Sequence, residues 1–109
     1  MDQNEKAQNE LLKRVEKMEP ILNRATDLMD RLDVVLDELE EQKNEVAQLF
    51  MYYTGNDWLD DMHMVDDGFT PEISHGVLSQ DSVYNLMIRY RAIAERMISM
   101  GNDLLDGED

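Results

Sequence analysis

Between residues 55 and 68 the chain reads GNDWLDDMHMVDDG, which holds Asp57, Asp60, Asp61, Asp66, Asp67, His63 and the lone tryptophan, and no basic residue. Such a run could ligate a divalent cation. On a helix Asp60 and His63 stand at i, i+3 and Asp57 and Asp61 at i, i+4, so pairs of ligands share a face. Asp66, Asp67, Glu72 and His75 are near enough in sequence to close around them. His63 and His75 are also the side chains whose ordinary pKa suits proton transfer near neutrality. Asp57, Asp60, Asp61, His63 and His75 are thus the candidate ligands.

Known templates do not fit them. If Gly68 is placed on the glycine of an EF-hand loop, His63 and Val65 fall where oxygen ligands belong and Ser74 falls on the closing glutamate. There is no H-E-x-x-H and no paired Glu-x-x-His, the signatures of a zinc protease and a di-iron bundle. No glycine-rich phosphate loop occurs. Ser79 is the most tempting nucleophile, but a serine ahead of a helix is better explained as its N-cap. No catalytic residue, enzyme activity or cofactor is expected. A solvated acidic connector is the stronger reading of the stretch.

Composition narrows the partners. The chain has 109 residues, 25 acids against 10 bases and a formal charge of −15. Nucleic acid is excluded as a direct partner, because binding phosphates requires lysine and arginine. An anionic membrane surface repels the chain for the same reason. A basic protein partner is compatible. With no cysteine, disulfides, thiolate chemistry and cysteine-bound zinc drop out. MDQNEKAQNE lacks the apolar run of a signal peptide, and no stretch approaches the roughly 20 apolar residues of a membrane span. A soluble, cytoplasmic protein is expected, one domain long.

The elements that position the acidic stretch are helices. Apolar residues recur at Leu11, Val15, Met18, Leu22, Ala25, Met29, Leu32, Leu36, Leu39, Val46, Phe50 and Tyr53, in alternating steps of four and three, with Lys43 as the polar intruder. That is a heptad seam. Ile21, Leu28, Val35 and Leu49 widen it along one flank, which suggests more than one neighbouring helix. Pro20 lies inside the pattern without shifting its phase, so the helix is expected to kink or pause there and continue. A second set, Val83, Leu86, Met87, Tyr90, Ile93, Ala94, Met97, Ile98 and Leu104, predicts a C-terminal helix.

Residues 11 to 53 as one helix extend roughly 65 Å, and residues 80 to 105 only about 40 Å. Folded back antiparallel, the second helix leaves the Leu11 to Met18 end uncovered. An uncovered apolar stripe usually meets another chain, so a homodimer or higher oligomer through residues 8–25 is expected.

The connector reads as punctuation. Gly55 is placed as a left-handed C-cap of the first helix. Asn56 or Asp57 caps a short helix whose face is Trp58, Leu59 and Met62, and Gly68 ends it. TPEISHG, residues 70–76, predicts a one-turn helix with Thr70 as cap, Pro71 in the first position and Gly76 as stop. Ser79 caps the last helix, with Leu78 and Val83 as a hydrophobic staple and Ser82 in place of the usual capping-box glutamate. The tail beyond Leu105 is expected to fray.

Tyr52, Tyr53, Trp58, Asp60 or Asp61, Gly68, Pro71, Gly76, Val77, Leu78, Ser79, Asp81 and Tyr84 together resemble the signature of a small bacterial family, domain of unknown function 4298. Gln80 departs from that pattern's glutamate. The resemblance covers residues 52 to 87 and implies an all-helical protein with no assigned activity.

The expected architecture is therefore all-α and a single domain over 1–109. A long kinked helix over about 4–54 pairs antiparallel with a helix over about 79–105, in a coiled-coil-like bundle, with short capped helices in the connector 55–78. The expected role is a non-enzymatic, self-associating interaction or structural protein with an acidic surface. The alternative is a divalent-metal- or small-ligand-binding protein using the connector, and a thermal-shift screen with divalent cations separates the two.

Overall fold

The computed structural model describes residues 2–107. It is all-α: α1 (Gln3–Tyr53), α2 (Asn56–Asp66), a 3-10 turn (Gly76–Leu78) and α3 (Ser82–Asp106) follow in order. No strand occurs among the described residues. The chain divides into two compact units, Met1–Lys43 and Asn44–Asp109, and α1 contributes to both.

α1 is built largely from good helix formers. Asp2 caps it: its carboxylate accepts the Glu5 N–H at 2.8 Å and its carbonyl accepts the Lys6 N–H at 3.1 Å. This cap goes unread in the heptad pattern. Pro20 lies inside the helix, which runs through it without a break. The carbonyl of Glu16 thereby loses its i+4 donor, but Glu16 is exposed and water can serve it.

The handedness expected at Gly55 is found one element later. Gly55 has φ −100° and ψ 177°, an extended conformation. Glycine suits it for another reason, since a Cβ there would approach the Met51 carbonyl oxygen to 3.1 Å. Gly68 is the positive-φ residue, at 113°. Its N–H reaches Val65 O and the Phe69 N–H reaches Met64 O, each at 3.1 Å, the bond pair of a Schellman stop.

Three further local expectations need correction. Asn56 is already helical and α2 has no side-chain cap, although Asp57 does sit in its first turn. TPEISHG forms no helix, and the single turn lies at Gly76–Leu78 instead. Thr70, read as its cap, turns its hydroxyl back to the Gly68 carbonyl at 3.5 Å and not to a following N–H. α3 starts at Ser82 behind Asp81, three residues past the start expected from Ser79. Ser79 still serves the helix start, since its Oγ accepts the Ser82 N–H at 3.3 Å and hydrogen-bonds the Ser82 hydroxyl. At the far end Asp106 is helical and the Gly107 N–H reaches Asp103 O at 3.2 Å. Of the tail expected to fray, Glu108 and Asp109 lie outside the described residues.

The unit Met1–Lys43 is a lone helix. None of its described residues is buried, and only Leu39 is even half-buried. The unit Asn44–Asp109 holds the core. Trp58 and Val83 are its buried residues, at 8% and 3% exposure. Val46, Leu49, Phe50 and Tyr53 of α1 and Leu86, Met87 and Tyr90 of α3 are half-buried in the same unit. Within this unit α3 runs antiparallel to the end of α1: Tyr53 meets Gln80, and Phe50 meets Tyr90 edge to face at 5.6 Å.

Candidate functional site

The residues that converge form a corner where α1 hands over to α2 and the turn. Trp58, in the first turns of α2, points its indole N–H at the Val77 carbonyl, 2.8 Å away. The ring of Tyr53 packs against the indole at 4.8 Å between centroids, steeply inclined. The Tyr53 hydroxyl donates to the carbonyl of Gln80 at 3.3 Å. One aromatic pair thus ties α1, α2 and the approach to α3 together. The contact at position 80 uses the main chain, so glutamine in place of glutamate does not disturb it.

Tyr52 faces the acidic stretch. Its hydroxyl donates to Asp61 Oδ2 at 2.7 Å. This hydrogen bond, aided by burial and by the charges of Asp61 and Asp57, pushes the phenol up from 10.0 to about 12. A phenol held neutral in this way is a hydrogen-bond donor and a poor base.

The five predicted ligands do not converge. Asp57, Asp60, Asp61, His63 and His75 are all exposed, and Asp61 is engaged by Tyr52. The backbone carbonyl of His63 takes the Asp67 N–H at 2.9 Å, part of the end of α2. His75 lies beyond the connector's first helix, and its Nδ1 donates to the Ile73 carbonyl at 2.9 Å, which fixes that nitrogen as the protonated one. Among the described residues no three His, Asp or Glu side chains are placed to hold a metal ion.

His75 instead borders an open groove of about 540 Å³ with Val65, Ile73, Leu78 and Ser79. The groove is shallow and mostly apolar, and no Asp, Glu, Lys or Arg lines it. It offers a place for an apolar side chain to rest. It lacks the convergent polar groups that orient a small ligand.

Sequence reasoning missed both tyrosine hydrogen bonds and the Trp58 carbonyl partner. Tyr52 and Asp61 are nine residues apart across the Gly55 bend, so no single-helix spacing reveals them. The available signal was the pair of tyrosines immediately before the bend.

The profile of a family described as Domain of unknown function (DUF4298) matches residues 15–100. No curated protein and no solved structure matches the chain significantly.

Proposed function

Because the chain belongs to the DUF4298 family, which carries no activity to transfer, we propose from its own surfaces that it is a non-enzymatic protein that self-associates through the apolar stripe of α1. The single observation behind this reading is the exposure of that stripe. Leu11, Val15, Met18, Leu22, Met29, Leu32 and Leu36 are exposed by 41% to 59%, on a helix whose unit buries nothing among the described residues.

Magnitudes favour association. A leucine or valine moved fully out of water contributes about 1.5–3 kcal/mol, so a half-exposed one still has about 1 kcal/mol to gain. Seven such residues on each of two chains together exceed the low end of the association cost, about 4–15 kcal/mol. A second chain is the simplest cover for such a stripe, and the residue 8–25 segment is its most nearly neutral part. There Glu10, Glu16 and Glu19 are balanced by Lys13, Arg14, Lys17 and Arg24, so two copies can meet without the repulsion that a −15 chain would otherwise impose. The acidity lies elsewhere, mainly in residues 33–45 and 54–81, leaving those surfaces for a basic protein partner.

Sedimentation equilibrium tests the reading. The wild-type chain is expected to be dimeric or larger at micromolar concentration. Leu22→Glu, which places a carboxylate in the middle of the stripe, is expected to weaken association at least tenfold. A monomer at every accessible concentration overturns the reading.

A further inference from the structure

The stripe also carries an orientation. Resting on the self-association reading above, we infer that a second copy of the chain covers α1 antiparallel, in one register centred between Asn23 and Arg24. The spacing over Leu11 to Leu36 is the same read forwards or backwards. An inverted copy therefore sets Leu11 against Leu36, Val15 against Leu32, Met18 against Met29 and Leu22 against Ala25. α1 is unbroken through this range, so the register survives Pro20.

The flanks of the stripe favour one orientation. One flank is mostly apolar, with Arg14, Ile21, Leu28 and Val35; the other is mostly polar, with Leu12, Glu19, Thr26 and Asp33. In an antiparallel pair like flanks meet, so Ile21 packs on Leu28 and Val35 lies along the aliphatic stem of Arg14, while Glu19 and Thr26 stay together in water and Leu12 faces Asp33. In a parallel pair unlike flanks meet. Leu28 would then face Asp33, and Val35 would face Glu40, two carboxylate-on-apolar contacts per chain against the one, Leu12 with Asp33, of the antiparallel pair, although Arg14 would gain Glu19.

Charge acts in the same direction. Asp33, Asp37, Glu38, Glu40, Glu41 and Glu45 are opposed by Lys43 alone, whereas residues 11–31 are nearly balanced. A parallel pair lays the two acidic segments side by side, and an antiparallel pair sends them to opposite ends. Like charges on the outer rim oppose this: Lys17 of one copy comes near Arg31 of the other, and Arg24 near its own counterpart. That cost is small, because Arg31 is 68% exposed and already paired with Asp27 at 3.0 Å, and salt screens such charges over about 8–10 Å.

The chain has no cysteine, which makes the test direct. Full-length Leu11→Cys and Leu36→Cys variants are oxidised separately and as a mixture. The antiparallel register gives little disulfide in either variant alone and a dominant mixed Cys–Cys dimer in the mixture. Homodisulfides in each separate sample, from a chain that sedimentation shows to be dimeric, overturn the orientation and leave self-association standing. A monomer by sedimentation overturns both. Because a cysteine on the stripe can itself perturb packing, a spin label on Val34→Cys, on the outer face, gives an independent reading. Antiparallel copies hold the two labels about 30 Å apart along the axis; labels side by side overturn the orientation.

Discussion

At the scale of single residues, the acidic stretch trades a metal-like reading for a hydrogen-bonded corner. Trp58 is buried and its N–H is committed to Val77 O. Trp58→Phe keeps most of the apolar ring and loses that donor, so it should cost about 1–2 kcal/mol, whereas Trp58→Ala should cost about 3–5 kcal/mol. Urea denaturation followed by circular dichroism reads both. Tyr52 gives a pH signature. Its phenol is raised from 10.0 to about 12, so the fold favours its neutral form. The resulting stability is complete below pH 10 and is lost as pH rises through about 12, because the unfolded chain ionises first. An ultraviolet titration of tyrosinate should show Tyr52 ionising late, and Asp61→Asn should return its midpoint toward 10. Gly68→Ala places a side chain at φ 113° and should destabilise by about 1 kcal/mol or more, even though no atom obstructs the new Cβ.

At the scale of elements, long periodic segments were legible and short ones were not. The heptad seam announced α1, and its unbroken phase through Pro20 foretold a helix that continues. The apolar set from Val83 announced α3, whose antiparallel return is carried by Phe50 and Tyr90. The connector was harder because local capping signals compete there. Gly55, Gly68 and Gly76 look alike in sequence, yet only Gly68 is left-handed. Pro71 with Gly76 suggested a turn that the backbone makes a few residues later. At the acidic stretch, the hydrogen bond that forms is not one that helical spacing indicates. Spacing on one helix could pair Asp57 with Asp61, but the partner that Asp61 takes is Tyr52, from the helix before it. Hydrogen bonds across a bend leave no periodic trace.

At the scale of the whole molecule, two kinds of stability share one polypeptide. The unit Asn44–Asp109 holds Trp58 and Val83 out of water, while the unit Met1–Lys43 buries none of its described residues, and helices without tertiary cover are marginal. Lys43, the intruder on the seam, is the last residue of that first unit. The consequence lies in exchange kinetics. Amide protons over residues 3–36 should exchange with solvent at rates set by helix opening, and partner binding should slow that opening by mass action. Their protection should therefore climb with protein concentration, while that of Trp58 and Val83 stays nearly constant. The first two-thirds of α1 would then report how many copies of the chain are present, a concentration gauge written into its deuterium uptake.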